Sequence, residues 1–284
     1  MFDFNLIFIP LFGFLVGFLV STLGGGGGGF YVPILTLVFG VPPHIAVATS
    51  LASVLPTTAA GAFSHYREGN VNIRLGLILG IGGIFGTLIG TYIANLIPSL
   101  LLEKILGIFV LIMLIPMLKS FIQRYKEQKE REKEREKEKS NENIEDMENT
   151  YNIENTEKIV EINGFKKVIA SFFGFAGGIL AGIFGISGTP PVTAGLYSLG
   201  LPAIMVVGTT IFVLIFNSLA GIGGYFVLGK LDIPLILLLS SGSIIGAFLG
   251  PKSLKKIDPK IIEKVYGPIL ISISLVMGLG LLLA

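Results

Sequence analysis

Six consecutive glycines, Gly24 to Gly29, interrupt an otherwise apolar stretch near the start of the chain. An apolar run ends at Val20 just before them, and a shorter one begins at Phe30. Glycine leaves its backbone bare, and lipid offers no hydrogen bonds to N–H and C=O groups. Such a break is tolerated at membrane depth only where protein or a wet cavity surrounds it, so the run predicts a site. A loop at the membrane surface is the alternative.

The chain repeats itself after 160 or 161 residues, and this second copy favours the site over the loop. The segment Gly185 to Gly188 falls on Gly24 to Gly27, and Gly208-Thr209-Thr210 falls on Ala48-Thr49-Ser50. Further matched positions are Phe12-Gly13-Phe14 with Phe173-Gly174-Phe175, Gly61 with Gly221, Asn72 with Asp232, Gly86 with Gly246, and Glu103 with Glu263. The repeat predicts two halves of a single fold.

The composition is that of an integral membrane protein. Hydrophobic residues make up 52% of the 284 residues, the mean hydropathy is +0.79, and 25 of the 40 charged side chains lie between Lys119 and Lys167. A soluble domain is excluded, and nucleic acid is not predicted as a partner. The chain has no Cys and only two His, so we expect no disulfide, no metal site and no cofactor.

We therefore predict an all-α polytopic membrane protein with two homologous halves. The N-terminal transmembrane repeat covers residues 1–118, a charged and largely disordered linker covers 119–166, and the C-terminal repeat covers 167–284. Each half is expected to contain about four full spans and one short broken or re-entrant helix. The predicted segments are 5–23, 30–41, 45–64, 73–97 and 100–118 in the first half, and 168–184, 192–199, 203–228, 233–249 and 261–283 in the second.

Charge indicates how the halves face. With five crossings per half and an outside N-terminus, Arg67, Arg74, the linker and the cluster 252–260 share one side of the membrane. The positive-inside rule places that side in the cytoplasm and favours inverted repeats over parallel ones, which require four crossings per half. We expect a multi-pass protein of the cell membrane with a cytoplasmic linker. Broken helices in inverted repeats are typical of secondary transporters.

The candidate site combines the two breaks with small polar residues on the helices that follow. The predicted substrate-binding residues are Ser21, Thr22, Gly24, Gly25, Gly26, Gly27, Thr49, Ser50, Ser187, Gly188, Thr189, Thr209, Thr210 and Asn217. No Asp, Glu, Lys or Arg is predicted near the midplane, so N–H and O–H donors at helix N-termini favour a small anion. A carbonyl freed by Pro56 leaves a coupling ion, proton or sodium, open. The sequence is also compatible with a homodimer.

These residues carry a resemblance to a known family. The glycine break followed by Pro33, the Ala48-Thr49-Ser50 triplet, the Gly69-x-Val71 turn and the glycine-ridged fourth segment, each with a diverged second copy, resemble the sulfite exporter TauE/SafE family of membrane permeases. The resemblance covers both apolar halves but not the linker. It implies transport of a small sulfur-containing anion or an organic sulfonate.

Two other functions compete with a carrier. Gly185-Ile186-Ser187-Gly188 also spells the GxSG pattern of rhomboid-type serine proteases, whose serine needs a histidine as general base. The available histidines, His44 and His65, lie at predicted segment ends in the other half. We therefore expect no enzyme activity. A passive anion channel is the other alternative, because a polar pathway alone does not distinguish a channel from a carrier.

Overall fold

The computed structural model describes residues 7–21, 28–115, 118, 164–254 and 259–283, and the regular elements in these ranges are helices. The first half contains α1 (Ile9–Ser21), α2 (Gly28–Leu37), α3 (Pro43–Arg67), α4 (Ile73–Leu96) and α5 (99–115). The second half contains α6 (Gly164–Phe184), α7 (Thr189–Ser198), α8 (Ala203–Val227), α9 (Ile233–Leu254) and α10 (Pro259–Leu283). Apart from the start of α6, the predicted linker lies outside the described residues.

Four of the described helices are long and apolar enough to cross a membrane. They are α3, α4, α6 and α8, each of 21 to 25 residues. Shorter apolar stretches lie in α1, α9 and α10, over Ile9–Phe18, Ile233–Leu249 and Ile271–Leu283. In the described part, two helices of each half thus meet both the length and the hydropathy of a full span, fewer than predicted.

The turn that joins α3 to α4 is repeated between α8 and α9. Asn72 Oδ1 and Asp232 Oδ1 each accept a hydrogen bond of 3.0 Å from the backbone N–H three residues later. Both are N-caps, which satisfy donors that the first turn of a helix leaves unpaired. The turns also share a glycine with positive φ, Gly69 and Gly229. Positions matched by the repeat therefore perform the same structural task.

Glycines bring α4 and α6 into backbone contact across the two halves. A Cβ on Gly178 would collide with the Gly83 carbonyl, and a Cβ on Gly182 would collide with the Thr87 carbonyl. Residue numbers rise together along both helices, so α4 and α6 run parallel. The predicted small-residue ridge is confirmed, since Gly82, Gly86 and Gly90 also face α6.

The same interface occurs between α1 and α9. A Cβ on Gly242 would collide with the Pro10 carbonyl, and one on Gly246 with the Phe14 carbonyl, so these helices also run parallel. By the repeat, α1 corresponds to α6 and α9 to α4. The first helix of each half therefore packs on the fourth helix of the other half.

The third helices of the two halves, α3 and α8, cross in opposite directions. Gly61 lies beside Ile211, whereas Leu51 lies beside Gly221. Residue numbers that increase along α3 decrease along α8 at these contacts, so the two helices are antiparallel. In contrast, α8 runs parallel to α4, because Phe212 and Phe216 cover Gly76 and Gly80 in the same order.

Candidate functional site

The break between α6 and α7 has an unusual backbone. Helix α6 ends where the Gly185 N–H donates to the Ala181 carbonyl at 2.8 Å, and Gly185, Ser187 and Gly188 all have positive φ. Ser187, at φ 64°, is a serine in a region that side chains rarely adopt. Such a conformation costs on the order of 1–2 kcal/mol and persists only where the surroundings impose it.

Side chains from two helices hold the carbonyl groups of this break. Ser50 Oγ, on α3 of the first half, donates to the Gly185 carbonyl at 2.8 Å. Asn217 Nδ2, on α8, donates to the Ser187 carbonyl at 2.9 Å. Both side chains are fully buried. The two bonds fix the strained backbone and engage two of its carbonyl groups.

The N–H groups of the break have the opposite character. Within the described residues, the N–H groups of Ile186, Ser187 and Gly188 donate to no backbone carbonyl, whereas the turn at 187–188 brings the Thr189 N–H back towards the Ile186 carbonyl. Helix α7 begins at Thr189 without a side-chain cap, and Pro190 and Pro191 follow, so its first turn carries few other donors. The hydroxyl of Ser187 is fully buried and, in this part of the chain, has no partner either. The break presents unpaired donors at the positive end of a helix.

Gly83 on α4 leaves the space that the Asn217 side chain occupies. An added Cβ on Gly83 would collide with Asn217 Oδ1, so the amide packs into space that a larger side chain at position 83 would need. Asn217 therefore connects the break to α4. The sequence analysis missed Gly83 because its partner is set by tertiary packing; the spacing of Gly76, Gly80 and Gly83 was the available signal.

Tyr225 is a second residue that the sequence analysis missed. Its hydroxyl donates to the Gly182 carbonyl at 2.7 Å, and its side chain is buried. The bond ties α8 to the last turn of α6, just before the break. A tyrosine in an apolar helix needs a hydrogen-bond partner, but the sequence does not say which one.

Part of the predicted first-half site lies outside the described residues. Ser21 is the last residue of α1, but nothing is described of its side chain, and Thr22 and Gly24 to Gly27 are not described. The helix that follows the glycine run is described. A Cβ on Gly185 would come within 2.9 Å of Val32 on α2 and 3.1 Å of Val47 on α3. The first half thus packs directly on the second break.

The remaining candidates divide between two places. Thr49 adjoins Ser50 and is fully buried, with no hydrogen-bond partner among the described residues, and Thr189 begins α7. Thr209 and Thr210 lie elsewhere: Thr209 Oγ1 accepts from the Asn72 N–H at 2.9 Å, near the start of α4. The α3 contacts of Ile211 and Gly221 lie roughly 15 Å apart along α8, because an α-helix rises about 1.5 Å for each residue between them. Antiparallel packing thus separates the Thr209 pair from Ser50.

The two histidines lie towards opposite ends of α3. His44 Nε2 lies 2.9 Å from the Ala94 carbonyl, and its Nδ1 lies 3.2 Å from Ser99 Oγ. His65 is near the opposite end of α3, beside Gly208. Neither histidine hydrogen-bonds Ser187 in the described part of the chain, so the general base that a serine hydrolase needs is not in place there.

Removing the Ser50 hydroxyl tests the bond to the break. We expect Ser50→Ala to lower stability by about 1–3 kcal/mol, because the Gly185 carbonyl is left buried without a donor. Thr58→Ala is the matched control: Thr58 Oγ1 bonds the Val54 carbonyl of its own helix, so its loss should cost less. Thermal denaturation in detergent measures both changes. Equal losses would contradict a special role for Ser50.

The described part of the chain is helical and apolar and contains a strained break in its buried interior, an arrangement typical of polytopic membrane transport proteins. The chain belongs to the sulfite exporter TauE/SafE family, whose profile matches residues 9–277. This membership confirms the resemblance inferred from the sequence motifs.

Individual relatives agree with the family. The "Probable membrane transporter protein YdhB" of Bacillus subtilis (strain 168) is 33% identical over 256 residues, covering 88% of this chain and 91% of the relative. Shorter matches include YunE of the same organism, 42% identical over 73 residues, or 26% of this chain and 27% of the relative. MJ0441 of Methanocaldococcus jannaschii is 38% identical over 84 residues, or 27% and 32%. No solved structure matches the chain.

Proposed function

We propose that this protein is a secondary transporter that carries a small anion by alternating access, at a site between the two glycine breaks. The substrate class is a sulfur oxyanion, or an organic sulfonate or carboxylate of similar size. The observation that carries the proposal is the polarity of the second break. Two of its carbonyl groups, those of Gly185 and Ser187, are held by Ser50 and Asn217. Among the described residues, in contrast, the N–H groups of residues 186–188 donate to no backbone carbonyl and the Ser187 hydroxyl has no partner. Unpaired donors at a helix N-terminus favour an anion.

The halves are proposed to be inverted repeats. Support comes from the helix directions: α3 and its counterpart α8 are antiparallel, and α8 runs parallel to α4 and, through α4, to α6. A repeat whose equivalent helices oppose each other has its pseudo-two-fold axis in the membrane plane. Alternating access in such folds exposes one central site to each side in turn.

The same directions support a cytoplasmic linker in the cell membrane. The end of α3 and the starts of α4 and α6 lie at one end of the bundle, because α4 and α6 run parallel. That end carries Arg67, Arg74, Lys166 and Lys167, and the charged linker leads into the start of α6 there. Bases gather on the cytoplasmic side of membrane proteins.

Counterflow in proteoliposomes tests the proposal. Vesicles preloaded with unlabelled sulfite should take up labelled sulfite faster than empty ones, with saturation, and methanesulfonate should compete. A channel would give neither trans-stimulation nor saturation. Failure of every small oxyanion and sulfonate to exchange would contradict the proposed function.

Ser187→Gly separates binding from folding. Glycine adopts the positive φ without strain, so we expect stability to be unchanged or higher by about 1 kcal/mol. The KM for the transported anion should rise about five- to tenfold, because one hydroxyl donor is lost. Counterflow kinetics and thermal denaturation measure the two effects. An unchanged KM would remove Ser187 from the proposed site.

A further inference from the structure

Fixed charge is confined to the ends of the helices. Residues 4–66, 75–102 and 168–229 contain no Asp, Glu, Lys or Arg, and these ranges include both breaks and the whole of α3 before Arg67 and of α8. The groups that surround the second break are a serine, an asparagine, backbone amides and apolar side chains. All of them are neutral, so an anion held there keeps its full charge.

Most of the ionisable groups near the ends of α3 have local hydrogen-bond or ring partners. His44 donates from Nε2 to the Ala94 carbonyl, and its Nδ1 lies 3.2 Å from Ser99 Oγ. At the other end of α3, His65 adjoins Gly208 and its Nδ1 has no hydrogen-bond partner among the described residues, and the neighbouring turn holds Arg67 against the Phe63 ring and Glu68 against Asn70. Among the described residues, none of these side chains is hydrogen-bonded to Ser187.

Pro56 lacks the N–H that would bond the Ala52 carbonyl, and the threonines that follow it donate to other carbonyls. Thr57 Oγ1 and Thr58 Oγ1 both donate to the Val54 carbonyl, at 2.7 and 2.9 Å, and Thr58 Oγ1 also lies 3.1 Å from the Leu55 carbonyl. A cation cage needs carbonyl oxygens that point at the ion. The Val54 and Leu55 oxygens are already engaged by hydroxyl protons of the same helix, which leaves the freed Ala52 oxygen as a single ligand in this stretch of α3, too few for a cage.

We propose that the anion crosses with its charge uncompensated, so transport is electrogenic and needs neither a proton nor a sodium ion. This inference rests on the proposed function and deepens it by naming the driving force. The membrane potential, negative inside, then drives the anion outwards. For each unit of charge, about 60 mV shifts the equilibrium distribution about tenfold. Export is therefore the favoured direction.

The test sets the potential with a potassium gradient and valinomycin in proteoliposomes. Methanesulfonate is the probe, because it is a permanent monoanion and cannot carry a proton itself. A tenfold higher potassium concentration outside makes the interior positive, and we expect about tenfold accumulation of the probe. The reversed gradient should lower the internal concentration to about one tenth. Neither a pH gradient nor a sodium gradient at zero potential should cause accumulation.

A variant and an exchange assay make the outcomes distinct. Ser187→Gly should reach the same distribution more slowly, because affinity changes the rate but not the charge that is moved. Exchange at zero potential together with a distribution that ignores the potential, or that follows the pH or sodium gradient, would overturn this inference alone. Absence of any exchange would overturn the proposed function as well.

Discussion

Replacing Gly188 with Ala is expected to abolish transport, whereas Gly200→Ala is expected to leave the rate within about twofold of the wild type. Both glycines have positive φ, 77° and 86°, so both alanines carry a similar backbone strain. They differ in their surroundings. A Cβ on Gly188 would collide with the Gly177 carbonyl of α6, whereas one on Gly200 has nothing within 4 Å. Only the first change must displace α7 and the break.

Counterflow measures the rate, and chromatography after heating measures folding. The paired design matters because strain alone could lower stability at either position by roughly 1–2 kcal/mol. If Gly188→Ala transports at the wild-type rate, the backbone geometry of the second break is irrelevant to function. If both variants lose transport equally, strain and not the contact with Gly177 is responsible.

The second large effect is expected at Gly83. Gly83→Ala should reduce the transport rate at least tenfold, because the new methyl group takes the place of Asn217 Oδ1 and so releases the Ser187 carbonyl. Gly223→Ala is the control. Gly223 lies on α8 with Asn217, is helical, and has no atom within 4 Å of an added Cβ. The Gly223→Ala variant should transport at the wild-type rate.

A double-mutant cycle identifies the contact itself. The single change Asn217→Ala should itself impair transport, but it also removes the amide that obstructs a methyl group at position 83. The change Gly83→Ala should therefore cost much less in the Asn217→Ala background than in the wild type, a coupling of about 1–3 kcal/mol in thermal stability. Additive losses would show that Gly83 acts through some other neighbour, such as α6.

Several features of the fold could be predicted from sequence because they depend on local rules. Glycine and proline mark where helices begin and end, and most predicted bounds lie within a few residues of the observed ones, as for α4 and α8. Repeat matching located Asn72 and Asp232 at equivalent positions, and both cap a helix. The break at Gly185 was predicted for the same reason.

The arrangement of the site could not be predicted in this way. Whether Thr209 and Thr210 join Ser50 depends on the direction in which α8 crosses α3, and a repeat alignment carries no directions. Nor does it say that Ser50 of one half binds the break of the other, or that an amide fills the space above Gly83. These are long-range contacts between residues more than a hundred positions apart.

The reciprocal packing of first and fourth helices constrains how the chain can be made. The ribosome delivers α1 to the membrane long before it has synthesised α9. The face of α1 that packs on α9 therefore has no partner helix until most of the polypeptide has emerged. The first half cannot complete its own structure during translation. Maturation must therefore be late and concerted, and a protein truncated before α9 should be degraded rather than stored.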